Sequence, residues 1–180
     1  MTPNTNRKKS KKMVVCAILS ALGVVLLYCG SLLDMIGPSI VALASFLIVL
    51  VQVELGGAYP WMVYAVTALL SLILLPNKSP AFLYLCIGGI YPILKVFFER
   101  IPGIFRWIAK SVYFIIVLAA YILISIFVLL LPKSQWGYFI PICLLGAFVF
   151  FIYDILLSRI LILYIVKFRK RLGLRKFLDD

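Results

Sequence analysis

Five charged side chains stand in or beside otherwise apolar stretches of this sequence: Glu54, Lys95, Glu99, Asp154 and Arg159. An ionised group within a bilayer is costly, so each needs a partner, a ligand or a place near the interface. Lys95 and Glu99 are four residues apart, which puts them on one helix face and suits an ion pair. Asp154 and Arg159 are about one and a half helical turns apart, an awkward spacing for a direct pair. A cation from another helix, Lys95 first, suits Asp154 better. Two roles are open to this cluster. It can pin helix ends and satisfy itself, or it can serve docking or gating.

Catalysis is poorly provided for. The chain has no histidine, which removes the commonest general base and metal ligand. Asp154 has no second aspartate inside another apolar run to form a protease dyad. No His-Glu-x-x-His zinc motif occurs, and a serine nucleophile would need Lys95 as its base. Cys16, Cys29, Cys86 and Cys143 lack the Cys-x-x-Cys spacing of metal sites and read as small packing residues. There is no glycine-rich phosphate loop, so any ATP hydrolysis belongs to a partner. The expectation is a non-enzyme without metal or cofactor.

The elements that must position these residues follow from composition. The chain is 65% hydrophobic and 13% charged, where soluble proteins have about half and about a quarter. Its apolar residues fall into about six runs, and roughly 17–25 such residues cross a bilayer as a helix. The runs are expected at 13–33, 39–53, 61–75, 81–98, 107–131 and from 138 past Asp154. Gly56-Gly57 and the segment 76–80 read as turns, and Pro60 suits the first turn of the third run. Gly88, Gly89 and Pro92 predict a kinked or broken fourth run. The first run lacks a small-residue cleavage site, and Tyr28 before Cys29 does not fit a lipobox, so the run is expected to be retained. The predicted fold is an all-α polytopic membrane bundle over 13–166, flanked by basic tails at 1–12 and 167–180.

Orientation follows from the basic residues. Eighteen Lys and Arg give a net charge of +12. Five lie between Arg7 and Lys12, and seven lie from Arg159 onward. Lys95, Arg100, Arg106 and Lys110 surround the connection between the fourth and fifth runs, and Lys78 and Lys133 remain for the opposite side. The positive-inside rule then predicts an even number of spans with both termini cytosolic. Basic groups confined to membrane edges point to anionic lipid headgroups rather than nucleic acid. All five charges of the cluster fall toward the cytosolic side. The external side holds Tyr28, Asp34, Asn77, Gln135, Trp136 and Tyr138, an aromatic and weakly polar mouth for a small, largely apolar ligand, or an ordinary aromatic belt.

The first run carries Ala17 and Ala21 four apart, a spacing that lets another helix approach closely. Six spans in 180 residues, a basic N-terminus leading into an Ala-xxx-Ala helix, and cytosolic ends resemble the substrate-binding (S) components of energy-coupling factor transporters. The resemblance implies that Ala17 and Ala21 dock on a transmembrane scaffold protein. It also implies that two cytosolic ATPases drive the assembly, and that a vitamin or similar micronutrient binds near the external face. The alternative is a non-transport scaffold or regulatory subunit. It would act through the charge cluster and the basic stretch 167–176, where each Lys or Arg contributes about 1 kcal/mol near an anionic surface.

Overall fold

The computed structural model describes residues 3–33, 36–99, 104–127, 139–164 and 166. The helices are α1 (Pro3–Leu32), α2 (Gly37–Glu54), α3 (Tyr59–Leu74), α4 (Ser79–Leu83), α5 (Ile90–Phe98), α6 (Phe105–Phe127) and α7 (Phe139–Leu163), with no strand among the described residues. Proline sits in the first turn of α2, α3 and α4. Its fixed φ suits that position, where its missing N–H has no intrahelical partner to lose. The α2–α3 connection turns through Gly56 and Gly57 at φ +60° and +59°, a left-handed conformation that side chains with a Cβ rarely adopt.

Four described helical segments are long and apolar enough to cross a membrane: Arg7–Leu32, Gly37–Glu54, Ser79–Phe98 and Leu145–Leu163. The 16-residue α3 is shorter, about 24 Å at 1.5 Å per residue. Helix α6 has 23 residues and no charge from Ser111 onward. The helices also leave bulky apolar side chains outward: Ile18, Leu69, Ile73, Ile115 and Phe148 are each more than 60% exposed. Soluble monomers rarely present so continuous an apolar surface. It suits hydrocarbon, as expected of a membrane-embedded helical protein.

The basic residues Arg7 to Lys12 are helical and run without a break into the apolar part of α1. Lys12 Nζ lies 5.8 Å from the Tyr59 ring centroid, within reach of a cation–π attraction.

The chain forms two compact units, one of Met1–Ile93 with Arg159–Asp180 and one of Leu94–Ser158. In the first, α1 packs on both α2 and α3. The packed face of α1 is Cys16, Ser20, Gly23, Val24, Leu27, Gly30 and Ser31, recurring every three or four residues. Gly23 meets Thr67 and Leu47, and Gly30 meets Ile40. Small residues admit such close contact, and in lipid this packing replaces hydrophobic exclusion as the source of helix association. Leu27, Ile48, Val63, Leu75 and Tyr84 complete the core.

The predicted break in the fourth run is a π-helical turn, Tyr84–Gly88, between α4 and α5. The Gly89 N–H bonds the Tyr84 carbonyl at 2.7 Å instead of that of Leu85. The Tyr64 hydroxyl donates to the Leu85 carbonyl at 3.1 Å. A half-buried carbonyl displaced from the α-helical ladder is thus satisfied from α3. The two glycines here are required by space. A methyl at Gly88 would come within 2.6 Å of Val41, and one at Gly89 would run into the Tyr64 ring.

In the second unit aromatic side chains supply the packing. Phe114 and Phe150 have ring centroids 4.8 Å apart, and Trp107 stacks with Phe151 at 6.0 Å. Phe98 and Tyr113 lie 6.0 Å apart.

Candidate functional site

Three helices of the second unit deliver one charge each to a single buried point. Lys95 stands on α5, Lys110 in the second turn of α6 and Asp154 in mid α7. All three are at most 8% exposed. Lys95 Nζ donates to Asp154 Oδ1 and, at 2.6 Å, to the Asp154 main-chain carbonyl. Lys110 Nζ donates to Asp154 Oδ2 at 2.7 Å. Ser158 Oγ donates to the same main-chain carbonyl at 3.0 Å, one turn along α7. Glu99 lies 3.6 Å from Lys95, and at 40% exposure it forms the outer edge of the cluster.

Of the sequence-selected charges, the structure brings Lys95, Glu99 and Asp154 together. Arg159 is exposed and outside this cluster. Lys110 is the member that counting charges missed. A tally of charges by connection groups it with the polar linker, although it lies three residues inside an apolar run, where a lysine is a functional suspect by default.

Glu54 belongs to the other unit. Its Oε1 accepts a hydrogen bond from the Tyr164 hydroxyl at 2.9 Å. Its Oε2 is buried without a hydrogen-bond partner among the described residues. Beside it is an apolar hollow of about 240 Å³ lined by Val15, Ile18, Leu19, Leu50, Val51 and Leu55. Nothing local in the sequence marks Tyr164, since a tyrosine near a membrane edge reads as a belt residue.

Ala17 and Ala21 are both exposed on α1. Ile18, Leu22 and Val25 flank them, with exposures of 61%, 46% and 58%. This face lies away from the Ser20–Gly23–Leu27 face that packs on α2 and α3. Of the expected external mouth, Tyr28 is exposed on α1. Asn77 Oδ1 accepts the Ser79 N–H at 2.9 Å and so serves the turn entering α4. Lys78 caps the end of α3, donating to the Leu72 carbonyl at 2.7 Å. Asp34, Gln135, Trp136, Tyr138 and the stretch 167–180 lie outside the described residues.

Chemically, the α5–α6–α7 cluster is a carboxylate shared by two ammonium groups. It can tie three helices together or present positive charge to an anion. Among the described residues no three His, Cys, Asp or Glu side chains converge on a metal position. Compared with protein-family models, curated proteins and solved structures, the chain shows no match.

Proposed function

We propose that the chain is a six-span membrane protein with both termini in the cytosol, acting as the substrate-binding subunit of a transporter. Its ligand is a small, largely apolar micronutrient, and partner ATPases supply the energy through a transmembrane scaffold. The observation that carries this reading is the division of α1 into two faces. One is used up inside the molecule through Ser20, Gly23 and Gly30. The other keeps Ala17 and Ala21 exposed at helical spacing, flanked by large apolar side chains. Small residues on an outward face let a second helix approach closely. The six-span topology adds the third and fifth runs and the sidedness of the basic residues to the four described spans.

The test is purification in mild detergent from the native membrane. Co-purification of an ATPase-bearing complex in stoichiometric amount is the expected result. Recovery of the chain alone, with full ligand uptake in cells lacking any such ATPase, would overturn the reading.

A second reading is a non-transport scaffold or regulatory subunit. The buried Lys95–Asp154–Lys110 cluster favours it, because an ion-paired cluster can equally be a fixed structural tie behind a cytosolic docking surface. Deleting residues 167–180 separates the two. Loss of function with ligand binding intact fits the regulatory subunit, and preserved function removes it.

A further inference from the structure

The second unit holds more positive charge near the start of α6 than its own acids balance. Lys110 has three N–H donors, and one is used on Asp154 Oδ2. Asp154 divides its single charge between Lys110 and Lys95. Glu99 stands near Lys95 and is 40% exposed. Arg106, one turn before Lys110 on the same face of α6, has no acidic partner within ion-pair distance among the described residues. Both cations occupy the first two turns of α6, the positive end of the helix dipole, where cations are disfavoured and anions welcome.

We infer that Arg106 and Lys110 hold the phosphate of an anionic phospholipid headgroup at the start of α6. The inference rests on reading the chain as membrane-embedded. At that depth the available anion is the headgroup phosphate, since the uncharged part of α6 begins at Ser111. Trp107 stands between the two cations, its ring 5.8 Å from Lys110 Nζ and stacked on Phe151. An aromatic ring at headgroup level beside two basic groups is the composition of a lipid site between membrane helices. Lys110 then joins the buried Asp154 to the headgroup, so the lipid would steady the α5–α6–α7 cluster from outside.

Trp107 is itself the probe. With Trp61→Phe and Trp136→Phe, it is the one remaining tryptophan of three. The protein is reconstituted in vesicles of brominated phosphatidylglycerol or brominated phosphatidylcholine, each mixed with its unbrominated competitor, and quenching of Trp107 gives the relative affinity of the two lipids. The expected result is a preference for phosphatidylglycerol of roughly fivefold or more, the equivalent of about 1 kcal/mol for the whole site. Arg106→Gln should reduce the preference and Lys110→Gln should abolish it. Lys110→Gln keeps the Lys95–Asp154 pair, and Arg106→Gln leaves the whole cluster in place, so folding is retained in at least one variant. A ratio near one in the parent protein, or a preference unchanged in both variants, would overturn the site. Loss of the preference on adding inorganic phosphate at constant ionic strength would assign a soluble anion and overturn the lipid. Symmetric vesicles offer the same lipid to both leaflets, so the ratio reads the site whatever the orientation. Sidedness is read separately by labelling cysteines placed in the connections.

Discussion

The ammonium group of Lys110 lies 2.7 Å from Oδ2 of Asp154, on a carboxylate whose other oxygen is already taken by Lys95. One acid therefore neutralises cations from two helices. Removing it and removing either lysine are unequal perturbations. Asp154→Asn leaves two buried ammonium groups facing each other and should destabilise the protein by about 3–5 kcal/mol, the usual cost of breaking a buried pair. Lys110→Met leaves a one-to-one pair and should cost much less. Asp154→Asn combined with Lys95→Met and Lys110→Met should recover most of the loss, because well-packed apolar replacements of buried ion pairs are often neutral. Thermal unfolding in detergent checks the order of the three variants.

The contact between Tyr64 and the π-helical turn predicts a different pair of effects. Tyr64→Phe removes the hydroxyl that satisfies the Leu85 carbonyl and should cost about 1 kcal/mol, somewhat more if that carbonyl stays buried and unpaired. Gly89→Ala drives a methyl into the Tyr64 ring and should cost about 1–3 kcal/mol by overpacking. Tyr64→Ala should relieve the second effect, so the double variant should lose less than the sum of the single losses.

The two faces of α1 should respond oppositely to the same change. Gly23→Leu places a large side chain against Thr67 and Leu47 and should lower stability by about 1–3 kcal/mol or more. Ala21→Leu, on the exposed face, should leave stability within about 0.5 kcal/mol. Equal losses at both positions would mean that the exposed face is packed within the monomer.

Tyr164→Phe removes the hydrogen bond that the hydroxyl donates to the Glu54 carboxylate at 2.9 Å. A lost bond to a charged group is worth about 1.5–3 kcal/mol. The variant should therefore be less stable than the parent, and Glu54→Gln with tyrosine retained should lose less, since the amide oxygen can still accept. Denaturant or thermal unfolding of both variants decides the order.

The helices and their turns were legible because each carries a local signal. Pro38, Pro60 and Pro80 open helices, Gly56-Gly57 turns the chain, and Gly88-Gly89 marks the irregular fourth run. The α5–α7 contact is partly legible as well, since the five-residue spacing of Asp154 and Arg159 is awkward for a pair and Lys95 is the cation another run offers. Lys110 is not, because counting basic residues by connection treats a lysine inside an apolar run as if it belonged to the loop. The face of α1 that packs inside the molecule carries no distinct local signal. Ala17 and Ala21 match a known spacing, but Ser20, Gly23 and Gly30 make the contacts with α2 and α3. Which of two small-residue stripes faces inward depends on side chains such as Thr67 and Ile40, far away in sequence. The Glu54–Tyr164 bond spans 110 residues, and no local pattern announces such a pairing.

The most direct test of the transport reading is the amount of ATPase-bearing complex recovered with the wild-type chain and with Ala17→Trp plus Ala21→Trp, captured side by side from the native membrane. The account predicts that the double variant folds, keeps its melting temperature and loses the complex by about tenfold or more, the equivalent of 1.4 kcal/mol or more of docking energy. Undiminished recovery with two tryptophans on that face would contradict it.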